Sequence, residues 1–531
     1  MSACNYSTPF VLSESKMSRH ILSTLLLLLT ALLIIPDTLA AQSPSLGEID
    51  FPTSASGDAQ QAFLEGVLFL HNFEYEDAAS AFGRARAIDS TFGMAYWGEA
   101  MTYNHPLWEE QDRDAAQAVL SSLAPSLDER SSYFATEREK AFHRAVETLY
   151  GNTDTSAGKS KEERDDLYAD VMRRMHEAYP DDREIATFYA LSILGTAHEG
   201  RDFATYMHAA SVAFKVWEEN RLHPGAAHYL IHSFDDPVHA RLGLPMARAY
   251  SRIAPSAAHA QHMTSHIFVA LGMWDDVVAA NEVASSVQNE RMASLGRRPV
   301  VCGHYPFWLE YGYLQQGRLD DGKAILDACY ERMGNDPNGA ERSYFAHMLA
   351  RYVVDSHDYE AVSNYLYEYA DDDTRGREYH FAQAYAATRL GRIEDATAHQ
   401  IRIGEGAEEQ SERATIQSSQ VDGVLALYHG EVDRAIAILT TAAEMEASLP
   451  FDFGPPDPAK PSFELLAESL VELGRLEEAN EAFRTQLSRT PNRTASLAGL
   501  AATARELGDN ATAAEASAKL AAIQRMSDGE E

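Results

Sequence analysis

Four histidines, arranged as two His-x-x-x-His pairs, are the residues with the clearest potential for chemistry. The pairs are His228 with His232 and His262 with His266, and the second follows the first by 34 residues. Histidines four residues apart lie on the same face of a helix. Because imidazole nitrogens bind Zn, Cu, Ni and Fe, two such pairs on neighbouring helices could hold one divalent transition-metal ion. Asp235, one turn beyond His232, could complete a set of two histidines and a carboxylate.

Two other interpretations of these four histidines stay open at this point. Imidazoles can hydrogen-bond across packed helices without any ion, because each ring carries one donor and one acceptor nitrogen. The same side chains could also form a metal-free acid/base or ligand-binding cluster. Elemental analysis separates these interpretations, because the metal site alone requires near-stoichiometric metal.

The same offsets carry polar and aromatic residues in the neighbouring segments of the chain. His259 lies one turn before His262, and the segments that follow place other polar or aromatic side chains at matching positions. The intervening positions hold mostly Ala, Leu and Val, which are core residues. We therefore predict a groove surface that binds a peptide, a protein or a small ligand through His259, His304, Tyr311, His347 and Arg351.

A recurring hinge indicates the elements that must position these residues. It starts at Gly272, Gly317, Gly391 and Gly474, and each copy has an acidic residue within four positions of the glycine. About a dozen residues with apolar positions three and four apart flank each hinge, which is typical of a helix, a tight turn and a second helix. Glycine supplies the left-handed conformation that ends the first helix. The sequence therefore predicts an all-α chain of antiparallel hairpins, more than two thirds helical, without a sheet of three or more strands.

The spacing of 34 residues from Gly474 to Gly508 resembles that of the tetratricopeptide repeat (TPR), a 34-residue helical hairpin. Three segments, 95–101, 223–232 and 262–268, look like those of a family of exported bacterial TPR proteins. The resemblance implies an α-solenoid of TPR-like hairpins with a concave groove, lined by the first helix of each hairpin. It implies no established activity.

The hinge series predicts how the chain is divided. The predicted parts are a signal peptide (1–40), N-terminal TPR-like repeats (41–110), irregular helical hairpins (111–222), a His-rich TPR pair (223–290), further TPR-like repeats (291–449), a Pro-rich insert (450–461) and C-terminal TPR repeats (462–531).

The start of the sequence has the pattern of a secretory signal peptide. Basic Lys16 and Arg19 precede an apolar run, 21–35, and small residues follow it up to Ala40. The run has 15 residues, too few to span a membrane comfortably. We expect cleavage before Ala41, no transmembrane segment afterwards, and export to the periplasm or beyond the cell. The two remaining cysteines, Cys302 and Cys329, could be disulfide-bonded or free.

The net charge and the absence of several catalytic motifs exclude some classes of function. Asp and Glu number 80 against 44 Lys and Arg, a net charge of −36, which opposes binding to nucleic acid. The sequence contains no phosphate-binding loop, His-Glu-x-x-His, Gly-x-Ser-x-Gly or Cys-x-x-Cys motif. The leading hypothesis is an exported solenoid that binds a ligand in its groove. A metal-binding protein or metal-dependent enzyme is the alternative, and a purely structural scaffold is the third.

Overall fold

The computed structural model describes residues 45–370, 373–403 and 411–527. The predicted signal peptide, 1–40, lies outside the described residues and stays a prediction. Helices account for 72% of the described residues, so the prediction of an all-α, more than two-thirds helical chain is confirmed. No helix in these ranges combines the length and apolar character needed to cross a bilayer.

Most of the described helices are joined by short connections. A two-stranded antiparallel ribbon pairs β1 (Asn104–His105) with β2 (Glu110–Gln111), and the described residues contain no larger sheet. Two short 3-10 helices span Tyr359–Asn364 and Thr374–Gly376. The α-helices are α1 (Gly57–His71), α2 (Tyr75–Ile88), α3 (Gly93–Met101), α4 (Arg113–Leu123), α5 (Leu127–Ser131), α6 (Glu137–Leu149), α7 (Lys161–Ala178), α8 (Arg183–Leu194), α9 (Phe203–Glu219), α10 (Pro224–Phe234), α11 (Ala240–Ile253), α12 (Ala258–Leu271), α13 (Trp274–Ser294), α14 (His304–Gln315), α15 (Leu319–Met333), α16 (Gly339–Ser356), α17 (Arg377–Arg389), α18 (Ile393–Ile403), α19 (Ser411–Tyr428), α20 (Val432–Ser448), α21 (Ser462–Glu472), α22 (Leu476–Arg489), α23 (Thr494–Glu506) and α24 (Asn510–Ser527).

The hinge glycines are interhelical turns, as predicted. The backbone φ angles of Gly272, Gly317, Gly391 and Gly474 are 63°, 75°, 70° and 72°, in the left-handed region where a side chain is strained. Each glycine therefore ends one helix and lets the chain turn back into the next. Consecutive hairpins pack on one another, with α10 against α12 and α14 against α16. The protein is an α-solenoid of TPR-like antiparallel hairpins.

Both ends of the described solenoid contact its middle repeats. Near the N-terminus, Asn72 accepts a hydrogen bond of 2.8 Å from the hydroxyl of Tyr250 on α11. Near the C-terminus, the backbone carbonyl of Asn492 accepts a hydrogen bond of 2.9 Å from the indole of Trp274, at the start of α13. The chain therefore closes on itself rather than extending as an open ribbon of repeats.

The Pro-rich insert, 450–461, packs against part of the face that the sequence analysis assigned to the ligand groove. The guanidinium of Arg351 donates hydrogen bonds to the backbone carbonyls of Pro456 (2.5 Å) and Ala459 (2.8 Å). A Cβ on Gly454 would lie 2.4 Å from the Trp308 ring, which shows how closely the insert packs. Exposure of Tyr311 and Arg351 is 1% each. At these two positions the chain's own segment therefore covers the face that was predicted to bind a ligand.

The two cysteines that the sequence left undecided are joined. Cys302, just before α14, is bonded to Cys329 on α15, with 4.6 Å between their Cα atoms. The bond fixes the start of α14, the helix that carries His304.

Candidate metal centre

Six histidines of the solenoid form two neighbouring groups of three, which we call triad A and triad B. Triad A consists of His228 and His232 on α10 and His259 on α12. The Nε2 atom of His228 lies 3.1 Å from Nε2 of His232 and 3.2 Å from Nε2 of His259. All three side chains are buried, with exposures of 0%, 3% and 7%. Three imidazole nitrogens therefore converge on one small volume.

The tautomer of His228 is set by the backbone behind it. Its Nδ1–H donates to the carbonyl oxygen of His71, at the end of α1, over 2.7 Å. A neutral imidazole with hydrogen on Nδ1 carries a lone pair on Nε2. That lone pair faces the other two rings of triad A. A hydrogen bond from the outer nitrogen to a carbonyl is the usual support of a metal-ligating histidine.

Triad B repeats this arrangement one hairpin later in the chain. It consists of His262 and His266 on α12 and His304 at the start of α14. The Nε2 atom of His262 lies 3.1 Å from Nε2 of His266 and 2.9 Å from Nε2 of His304. The outer Nδ1 of His304 contacts the Tyr344 hydroxyl at 3.1 Å. All three outer nitrogens of triad B have partners outside the triad.

Two of those partners, Asn281 and Asp235, determine which ring nitrogen of His262 and of His266 carries hydrogen. Asn281 donates its amide N–H to the carbonyl of Val277 over 2.8 Å, so its Oδ1 accepts from Nδ1–H of His262 over 2.7 Å. The carboxylate of Asp235 accepts from Nδ1–H of His266 over 2.5 Å. When neutral, both rings therefore present lone pairs on Nε2, and these atoms face each other across 3.1 Å. Two facing lone pairs repel, so a proton or a metal ion must lie between them.

The nitrogen separations suit a single ion in each triad. Two ligands bound at 2.0–2.1 Å with a tetrahedral angle are about 3.3 Å apart. The observed Nε2 separations of 2.9 to 3.2 Å are close to that value. Three histidines would leave a fourth position open, as in catalytic rather than structural metal sites.

Burial keeps most of these histidines in the neutral form that a metal ion requires. Desolvation lowers the pKa of His228 and of His304 to about 3. The pKa values of His232, His259 and His262 also lie well below the ordinary value, first through burial and then through repulsion from neighbouring imidazoles. Neutral imidazoles bind metal without first losing a proton at pH 7.

The two triads adjoin each other and are enclosed by aromatic rings. The ring centroids of His232 and His266 are 5.7 Å apart, and those of His259 and His262 are 6.1 Å apart. Phe73 packs against triad A, 4.3 Å from the His228 ring. Trp308 packs against triad B at 4.4 to 5.7 Å from its three rings. Six imidazoles thus share one pocket with apolar walls.

A cavity of about 320 Å³ lies behind two residues that contact the triads. Its walls include Leu107, Glu109, Arg201 and Phe453. Arg201 donates a hydrogen bond of 3.0 Å to the backbone carbonyl of His232 in triad A, and the Phe453 ring lies 5.4 Å from His266 in triad B. Both triads are therefore one residue away from a space that could admit a small molecule.

A third buried cluster, of His71, Glu184 and His223, also brings three potential ligand atoms within 4.8 Å of one another, but these atoms hydrogen-bond to each other, and the cluster supports triad A. Glu184 accepts from Nε2 of His71 over 2.9 Å and from Nε2 of His223 over 3.2 Å. The outer nitrogen of His223 accepts the N–H of Ala226, and that of His71 contacts the Tyr229 hydroxyl. Burial alone would raise the pKa of Glu184, but its contacts with His223 and His71 hold that pKa well below its usual range. The carbonyl of His71 then orients His228.

The structure brings together the four histidines of the predicted pairs, but not as a single four-histidine site. Each pair belongs to a separate triad, and the third members are His259 and His304, which the sequence analysis placed in the ligand groove. Asp235 lies behind His266, on its outer nitrogen, instead of beside His232 as a direct ligand. Sequence reasoning missed the contributions of Asn281 and His71, and no spacing pattern links either residue to the triads.

The other predicted groove residues lie away from the triads. His347 is half-buried with its ring 5.8 Å from Phe307, and burial lowers its pKa. Tyr311 stacks under the guanidinium of Arg351 at 4.8 Å. Their contacts are with the insert and the core, so a ligand-binding role for them stays a prediction.

No protein-family model matches this chain, and no curated protein sequence does either. Solved structures resemble it at low identity. The human IFIT1 dimer with m7Gppp-AAAA is 13% identical, with a TM-score of 0.32, covering 90% of this chain and 91% of its own. Yeast Tom70 is 12% identical, TM-score 0.27, covering 88% and 92%. The P58(IPK) TPR domain is 14% identical, TM-score 0.22, covering 85% and 99%. Similarity this low leaves the function to be argued from the protein's own residues.

Proposed function

We propose that this protein is a metalloprotein that binds two transition-metal ions, one in triad A and one in triad B. The observation that carries the proposal is the pair of facing lone pairs on His262 and His266, which needs a cation between them. A single proton would satisfy that one contact. A metal ion also accounts for the approach of His304 and for the second triad with the same construction.

The surroundings favour an ion that reacts with a small molecule. Three histidines per ion leave coordination positions free. The 320 Å³ cavity is lined by Arg201 and Phe453, which contact triad A and triad B respectively. The helical scaffold keeps the ligands fixed because α10, α12 and α14 belong to consecutive packed hairpins. A metal-dependent enzyme acting on a small substrate fits this arrangement.

Metal content of the purified protein tests the proposal directly. After loading with Zn, Cu, Ni or Fe and removal of unbound metal, we expect about two ions per chain by mass spectrometry. His228→Gln and His262→Gln should each reduce this to about one ion, and the double variant should hold none. Circular dichroism confirms that the variants remain helical. Wild-type protein that retains no ion after loading with any of the four metals would refute the proposal.

A matched control is available outside the centre. His380 and His399 also face each other, with 3.0 Å between their Nδ1 atoms, but they form a pair rather than a triad. His399→Ala should leave the metal content at about two ions per chain. Loss of metal in this variant would indicate that binding is nonspecific.

A ligand-binding scaffold without metal is the second candidate, and the cavity is the observation that favours it. The cavity has room for a small ligand, whereas the insert already covers the face that a peptide would need. This function would take precedence if the wild-type protein stays metal-free while small molecules raise its melting temperature.

We also propose that the protein is exported after removal of residues 1–40. The support is the signal-peptide pattern together with the disulfide between Cys302 and Cys329, since such bonds persist in oxidising compartments. N-terminal sequencing of protein recovered from outside the cytoplasm is expected to start near Ala41. An intact apolar run, 21–35, in that material would contradict cleavage.

A further inference from the structure

The two triads lie close enough together that ions bound in them could react with one molecule jointly. Rings of triad A and triad B approach to centroid distances of 5.7 and 6.1 Å, so two bound ions would be near neighbours. The inference below rests on the proposed function, because it requires both triads to hold metal.

Imidazole binds a metal ion through a lone pair in its neutral form, so the six histidines contribute no negative charge to offset the charge of bound ions. Asp235 is the carboxylate nearest to the triads in the contacts described, and it lies on the outer nitrogen of His266 rather than facing an ion. Two dications at a given separation repel each other about four times as strongly as two monocations, and screening is weak in a buried site. The pocket therefore favours monovalent ions until an anion enters between them.

Copper is the metal that meets this condition. Among Zn, Cu, Ni and Fe, copper is the one with a monovalent state that is common in proteins, and imidazole is a good ligand for both of its oxidation states. The buried aromatic walls formed by Phe73 and Trp308 keep bulk water away from the ions. An apolar pocket of this kind admits a small apolar molecule more readily than an ionic one.

We propose that triads A and B together hold a pair of copper ions that binds dioxygen. Each Cu(I) gives up one electron and becomes Cu(II), and dioxygen accepts the two electrons and becomes peroxide. The peroxide dianion then lies between the two Cu(II) ions and supplies the negative charge that the six neutral histidines lack. No proton and no further reductant are needed for this binding step. The cavity lined by Phe453, whose ring lies 5.4 Å from that of His266, is a space from which dioxygen could approach triad B.

Anaerobic loading with Cu(I), followed by exposure to dioxygen, tests this inference. We expect about two copper ions per chain and uptake of about one dioxygen per two copper ions. An intense near-ultraviolet absorption band, from peroxide-to-copper charge transfer, should appear. The electron paramagnetic resonance signal of Cu(II) should stay weak, because the two spins couple through the bridge.

A variant with one triad removed gives the sharpest result. His262→Gln should keep about one copper ion yet lose the absorption band and dioxygen uptake almost completely, at least about tenfold, because one copper ion cannot supply two electrons. His399→Ala should behave like the wild type. Uptake that falls only by half in His262→Gln would show that the ions act independently and would overturn the inference.

The outcomes separate the inference from the proposed function. Two loaded copper ions that show full Cu(II) resonance signals, or no dioxygen uptake, would refute the copper pair and leave metal binding intact. Stable binding of two Zn ions with no retention of copper would do the same. Failure to retain any metal would refute both.

Discussion

Lowering the pH from 6.5 to 5.5 is expected to reduce the free energy of unfolding of the metal-free protein by about 2 kcal/mol through His228 and His304 alone. Burial lowers the pKa of both residues to about 3 in the folded protein, whereas an unfolded histidine titrates near 6.5. Between these values the unfolded chain binds protons that the folded chain does not bind. The contribution of each histidine is therefore complete well above pH 6.5. It falls by about 1 kcal/mol between pH 6.5 and 5.5, and by about 1.4 kcal/mol per unit at lower pH until the pH nears the folded pKa.

Urea unfolding in the presence of a chelator, at several pH values between 7.5 and 5, measures this slope. Stability should depend less steeply on pH in His304→Gln than in the wild type, by about 1 kcal/mol per pH unit between pH 6.5 and 5.5, because one such histidine has been removed. His399→Ala again serves as a variant with an intact centre. Equal slopes for wild type and His304→Gln would contradict the assignment of His304 as a buried neutral histidine.

Replacing Arg493 by Met is expected to destabilise the protein by about 3 to 5 kcal/mol. Arg493 is fully buried, and its guanidinium donates to both carboxylate oxygens of Glu464 at 2.9 Å and to Asp355 at 2.5 Å. The substitution leaves these two buried carboxylates with less compensating charge. Lys460, 2.9 Å from Glu464, and Arg351, 3.4 Å from Asp355, remain as partners. Thermal and urea unfolding report the change.

Arg475→Met is the matched control for this effect. Arg475 also pairs with a carboxylate, that of Glu478 three residues later, but both side chains are exposed. Water already solvates such a pair, so its loss should leave the midpoint of unfolding essentially unchanged. Equal midpoints for wild type and Arg493→Met would show that the buried network contributes nothing to stability.

The fold could be predicted from sequence because its signals are local. Gly272, Gly317, Gly391 and Gly474 occupy left-handed turns, and the apolar spacing around each hinge specifies a helix on either side. Repetition of one local pattern is enough to predict a stack of hairpins. The contacts that close the solenoid, such as that between Trp274 and Asn492, join distant residues and leave no local pattern.

The site was predictable only in part, for a related reason. The shared register of His228, His232, His262 and His266 follows from helix geometry, and the structure does bring these residues together. Which third histidine joins each pair depends on how far one helix is displaced along the next. That displacement places His259 with triad A and His304 with triad B. Sequence spacing specifies the face of a helix but not its offset against a neighbour.

The position of the Pro-rich insert is the feature that the sequence predicts least well. Its prolines predict an interruption of the repeats, and the interruption does separate α20 from α21. Nothing in segment 450–461 indicates that it would lie across Trp308 and Arg351. The predicted groove residues share one register in the sequence. At Arg351, however, another segment of the same chain covers the predicted surface.

Closure of the solenoid on itself also determines how the protein must assemble and come apart. Repeats in an open array fray from their ends, because a terminal repeat has one neighbour. Here residues 178 and 218 positions apart in the chain, Asn72 with Tyr250 and Trp274 with Asn492, hold the end repeats against the middle. Such distant contacts form late and slow the folding reaction, since the chain loses much entropy before they are made. Once made, these contacts couple the repeats to one another. The repeats should therefore unfold together, as in a compact domain, and not one after another as in a linear array.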